Sequence, residues 1–104
     1  MNEKLTKEQK QILKKCLWDR PETPEEFYDI IKGRSAPKWP TRAFCVARLI
    51  NYVNWYRIVK VFKPEEICAL WTPEVKRLVR GDYTKEGMDF ACKILHRGSL
   101  SHTG

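Results

Sequence analysis

The chain has 104 residues, 42% hydrophobic and 32% charged, with a formal net charge of +7 at pH 7. A single domain of this size buries roughly two thirds of its unfolded surface, and the composition excludes intrinsic disorder. The longest run free of charged residues, 49–56, falls far short of the ~18 needed to span a bilayer, and no apolar segment follows Met1-Asn2-Glu3-Lys4, so the expected location is cytoplasmic, without membrane association.

Helix punctuation organises the chain from its start. Thr6-Lys7-Glu8-Gln9 is a capping box, in which the Thr6 hydroxyl accepts from the Gln9 amide and the Gln9 side chain reaches back. The stripe Ile12, Leu13, Cys16 and Leu17 predicts a first helix that continues until Pro21 stops it. Trp18 is expected to close the core at that helix end, with Asp19 capping the turn. Thr23-Pro24-Glu25-Glu26 supplies a second N-cap, a proline at the first helical position and two carboxylates at the positive end of the helix dipole. Phe27, Ile30 and Ile31 give that helix a buried face, and Gly33 is a natural stop. Residues 33–40 read as a loop in which Pro37 and Pro40 flank a partly exposed Trp39.

Thr41 opens a third helix reaching about Val53. Its apolar positions cover more than half of a helical wheel, so it is expected to be central, with only Phe44, Arg48 and Asn51 on the remaining strip. Asn54 caps a helix predicted over 55–62, with Ile58, Val61 and Phe62 inward and Arg57 and Lys60 outward. Tyr52 and Trp55 fall near apolar faces and are expected in the core. Pro64-Glu65-Glu66 starts a fifth helix ending near Trp71, and Thr72-Pro73-Glu74 a sixth, stopped by Gly81, with Val75, Leu78 and Val79 inward. The last helix is predicted from Thr84 to about His96, with Met88, Ala91, Cys92 and Leu95 inward and an Asp89 to Lys93 ion pair. His96 then sits at the negative end of the dipole. The whole predicts an all-α, compact single-domain bundle of about six to seven short helices over 1–97, with a flexible tail at 98–104.

Cys16, Cys45, Cys68 and Cys92 lie more than twenty residues apart, so they read as four small buried thiols in a reducing compartment and not as a disulfide framework. Cys92 and His96 share a helix face, but two ligands fall short of a zinc site, and no metal or cofactor is expected. With two histidines, no Gly-rich phosphate loop and no Ser-His-acid set, the chain is expected not to be an enzyme.

Charge carries the functional signal. Residues 30–64 hold eight Lys/Arg, no acid and six of the twelve aromatics, while the remainder balances twelve basic against thirteen acidic side chains. Such a segment suits an acidic partner, with the exposed set expected to be Lys32, Arg34, Lys38, Trp39 and Arg42 on the loop and Arg57, Lys60 and Lys63 nearby, the docking contacts being the loop residues with Arg57 and Lys60. The alternative partner is DNA, because 64–80 has the layout of a helix-turn-helix whose second helix turns Lys76, Arg77 and Arg80 outward. Oligomeric state is left open by the sequence.

Leu17-Trp18-Asp19, Ala47-Arg48-Leu49-Ile50, Asn54-Trp55-Tyr56, Glu65-Glu66-Ile67 and the closing helix through Phe90 and Ile94-Leu95 give the chain a family likeness. Over about residues 13–95 it resembles a group of small helical bacterial proteins of unknown function, often encoded beside nucleotidyltransferase-type toxins. Asn51-Tyr52-Val53-Asn54 stands where many of those proteins have a Gly-x-Leu-Glu-Asp turn. The resemblance implies an antitoxin-like or regulatory role, a protein partner of that toxin type, and no catalytic residue.

Overall fold

Thr6, Thr23, Thr41, Asn54 and Thr72 each cap the helix that follows, with the side-chain oxygen accepting from the amide three residues on. These caps set the phase of a computed structural model that describes residues 5–102, with side chains through Leu95. Its elements are α1 (Lys7–Lys14), α2 (Pro24–Lys32), α3 (Arg42–Tyr52), α4 (Trp55–Ile58), α5 (Pro64–Ala69), α6 (Pro73–Leu78) and α7 (Asp82–His102). They form one all-α domain, with no strand among the described residues.

The first helix stops at Lys14, well before Pro21. Beyond it the amides of Cys16 and Leu17 bond three residues back, and the Cys16 carbonyl accepts from Arg48 Nε instead of extending the ladder. The fourth helix likewise stops at Ile58 and not at Phe62. Pro64 has no N–H to offer the Lys60 carbonyl, so a continued helix would leave that oxygen unpaired. Gln9 Nε2 donates to it at 2.9 Å, which also fastens α1 to the turn after α4. At the other end, α7 begins at Asp82 because the Gly81 carbonyl already accepts from Lys85. Gly81, at φ 82°, therefore leads into α7 and does not close α6.

α3 is the central element, packed against α2, α4 and α6, while α1 rests on α2 and α5 on α7. Cys45, Val46, Ala47, Leu49 and Ile50 of α3 meet Leu13, Phe27, Ile31, Ile58, Phe62 and Ile67 in one continuous core. Tyr28 stacks on Phe62 with ring centroids 5.2 Å apart.

Several side chains depart from expectation. Trp18 is 71% exposed, because the early end of α1 turns the 15–20 segment away from the core. Leu78 and Tyr52, expected inward, are 44% and 38% exposed. The cysteines divide into two kinds. Cys16 and Cys45 are buried thiols as expected, whereas Cys68 and Cys92 form a disulfide across α5 and α7, their Cα atoms 5.4 Å apart. Packing of α5 on α7 brings the pair together, and a spacing of 24 residues gives no sign of it. Asp89 does not pair with Lys93; it accepts from Lys76 Nζ at 2.7 Å and from Trp71 Nε1 at 2.8 Å. The side chains of His96 and His102, and residues 103–104 of the predicted tail, lie outside the described set.

Candidate functional site

The outer strip of α3 is built from Phe44, Arg48 and Tyr52, four residues apart and therefore stacked one turn above another. Arg48 lies between the two rings, its guanidinium carbon 4.9 Å from the Tyr52 centroid and 5.9 Å from that of Phe44. Its polar edge points the other way, into the 15–20 segment, where it pairs with Asp19 and donates to the Cys16 carbonyl. One arginine thus locks a loop, satisfies a backbone carbonyl and stiffens two aromatic side chains.

The strip extends in both directions. At its N-terminal end Trp39, 58% exposed, packs on Phe44 with centroids 4.7 Å apart. The Trp39-Pro40 bond is cis, and Pro40 is buried while the indole remains outside. Arg20 covers another side of Phe44 at 5.6 Å and forms a two-point pair with Glu22 at 2.9 and 3.0 Å. That bond holds the Glu22 carboxyl below the usual carboxylate range and raises Arg20 further. At the C-terminal end Asn51 fixes the end of α6 onto α3: its Oδ1 accepts from the Arg80 amide at 2.8 Å, and its Nδ2 donates to the Leu78 carbonyl at 3.4 Å. This leaves a shallow recess of about 220 Å³ lined by Phe44, Arg48, Asn51, Tyr52, Leu78 and Arg80.

The basic residues singled out by the sequence do not form one surface. Lys32 is bound to Glu66 at 2.6 Å and lies over the Tyr28 ring, beside a recess of about 300 Å³. Arg34 approaches Asp29 at 3.8 Å and the same ring. Arg42 donates from Nε to the Ile31 carbonyl at 2.9 Å, tying the start of α3 to the end of α2. Lys38 and Trp39 project from the loop beside it. Arg57 and Lys60 sit past the opposite end of α3, about 16 Å along its axis. They face α1 around a recess of about 240 Å³ with Glu8, Gln11, Ile12 and Lys15, and Lys60 reaches Glu8 at 3.4 Å.

The helix-turn-helix segment is also divided. α5 packs chiefly on α7 and α6 on α3, and α6 is only six residues long. Lys76 is held by Asp89, leaving Arg77 and Arg80 of that trio exposed. Among the described residues, Lys38, Arg42, Arg57, Arg77 and Arg80 have no ion-pair partner. The described residues contain no cluster of three metal-ligating side chains and no helix long and apolar enough to cross a membrane.

Sequence reasoning singled out Trp39 but not Phe44, Arg48, Tyr52 and Arg80 as its continuation. The available signal was the four-residue spacing of an aromatic, an arginine and an aromatic on the single strip of α3 left outside the core. No family model, no curated protein and no solved structure matches this chain, so the surface is read from its own geometry.

Proposed function

We propose that this chain is a non-enzymatic interaction protein that docks an acidic protein surface along the α3 strip, from Lys38, Trp39 and Arg42 to Tyr52 and Arg80. The observation that carries this reading is the row of exposed Trp39, Tyr52 and Leu78 around half-buried Phe44, with Arg48 set between the Phe44 and Tyr52 rings, Lys38 and Arg80 at its ends and no acid neutralising them. Tryptophan, tyrosine and arginine dominate the energetics of protein interfaces, because they bury large areas at low entropic cost and still offer hydrogen bonds. Rim cations of one sign steer an oppositely charged partner into register. By its family resemblance the partner is a nucleotidyltransferase-type toxin and the role antitoxin-like, in the cytoplasm. Lys32 and Arg34, already paired, serve the loop's shape in this reading, and Arg57 with Lys60 form a separate cationic face.

DNA binding through Arg77 and Arg80 is the second reading, supported by two exposed arginines without acid partners on adjoining turns of chain. Co-purification from source-cell lysate, with and without nuclease, separates the two. The docking reading expects a stoichiometric protein that survives nuclease and is lost in Trp39→Ala/Tyr52→Glu, while Arg57→Glu/Lys60→Glu retains it. Retention of nucleic acid that Arg77→Glu/Arg80→Glu abolishes, with no protein partner, would establish the second reading instead.

A further inference from the structure

The α7 helix carries a second apolar face that the domain does not use. Its inner side holds Met88, Ala91, Cys92 and Leu95, tied to α5 by the Cys68–Cys92 disulfide. On the outer side Tyr83 is 90% exposed, Phe90 66% and Ile94 50%. Gly87 completes that row, and a Cβ built on it would meet nothing within 4 Å. The spacings 83, 87, 90 and 94 alternate four and three residues, the pattern of a helix-pairing seam, and at 100° per residue the four positions fall within about 60° of arc.

Charge beside the row identifies what covers it. Glu86 and Lys93 flank it on one side, seven residues apart, and neither has an ion-pair partner among the described residues. Lys93 is left free because Asp89 is committed to Lys76 and Trp71. Such a face is complementary to its own inverted copy. We propose that two copies of this chain pair through α7, antiparallel about a two-fold axis, with Phe90 of each seated over Gly87 of the other.

In that register Tyr83 lies opposite the partner's Ile94, and Glu86 opposite the partner's Lys93, each contact occurring twice as an isologous interface requires. The missing side chain at Gly87 makes the hollow that receives the ring, so large meets small in both central layers. A parallel pairing would oppose Phe90 to Phe90 and Gly87 to Gly87, and would not join Glu86 to Lys93. Contact over 83–94, about 18 Å of helix, belongs to the small class of interface below about 1,200 Å², which gives a reversible dimer and not an obligate one. The pairing does not depend on the α3 surface.

Sedimentation equilibrium of the full chain up to about 1 mM, the weak end of specific association, tests the assignment. A monomer–dimer equilibrium is expected, lost in Phe90→Glu. Glu86→Lys and Lys93→Glu each weaken it about tenfold, since each turns two attractions into two repulsions, and the double exchange restores it. Gly87→Leu distinguishes this seam from general stickiness. Filling the hollow weakens pairing here while raising helix stability, whereas an unspecific apolar patch would associate more strongly with an added leucine. A monomer at every concentration, stronger association of Gly87→Leu, or a double exchange that restores nothing would each overturn the proposal. Circular dichroism of every variant establishes that the fold is intact.

Discussion

Burial fixes the chemistry of the two free thiols. Cys16 and Cys45 are fully enclosed, and loss of hydration raises each from 9.0 to about 12 despite the lowering influence of Arg48. Between those values the unfolded chain releases two protons that the folded chain retains, so the folded state loses stability as pH rises through that window. Each thiol contributes a slope of up to about 1.4 kcal/mol per pH unit. Chemical denaturation at pH 8 and pH 10.5 should therefore show a steeper alkaline loss for the native chain than for Cys16→Ala/Cys45→Ala. Equal losses would show that burial does not suppress thiolate formation. Below pH 9 both thiols should resist disulfide reagents until the protein unfolds, because only the thiolate is nucleophilic.

At the scale of elements, α7 depends on a cross-link. Its main packing partner is α5, itself only six residues long, and the disulfide joins them across a separation of 24 residues. Closing a loop of that length restrains the unfolded chain by about 3 kcal/mol. Reduction, or Cys68→Ala/Cys92→Ala, should lower the stability measured in urea by about that amount. Loss of helical signal from α7 before the rest would mark it as the least stable unit. An unchanged urea midpoint would mean that packing alone holds α5 on α7. A disulfide persists in oxidising surroundings and gives way to two thiols in a reducing compartment, so the strength of this tether depends on where the chain resides.

At the scale of the molecule, the body is elongated. The radius of gyration, 13.9 Å, exceeds the ~13 Å of a compact chain of this length, and the extents are 44 × 34 × 25 Å. A helix of 21 residues is about 31 Å long, longer than the shortest dimension of the body. Lys38, Arg42 and Arg80 carry no ion pair among the described residues, whereas the apolar row of α7 is flanked by one charge of each sign. Binding of an acidic partner on the α3 strip should thus slow at high salt mainly in its association rate, as screening shortens the reach of Lys38, Arg42 and Arg80. Dissociation, governed by the aromatic contacts, should change little. Surface plasmon resonance with the captured partner at two ionic strengths distinguishes this from a salt-driven change in the off-rate.

Much of this molecule follows from its sequence. The five capped helix starts, the core face of α3 and the all-α class are local matters, decided by which side chain can satisfy which amide and by apolar spacing along one element. The same local logic misplaced the ends of α1 and α4. Those ends depend on Arg48 and Gln9, side chains from elsewhere in the chain that take the carbonyls of Cys16 and Lys60. Tertiary structure alone decided that Trp18 faces outward, that Cys68 meets Cys92, and that Asp89 turns from Lys93 to Lys76. It also sorted the basic segment, committing Lys32 and Arg34 to acids and Arg42 to the Ile31 carbonyl while leaving Lys38 without an ion pair. The physical reason is common to all of these. Charge and periodicity are written along the chain, but which groups neutralise or cover one another is settled only when distant elements meet.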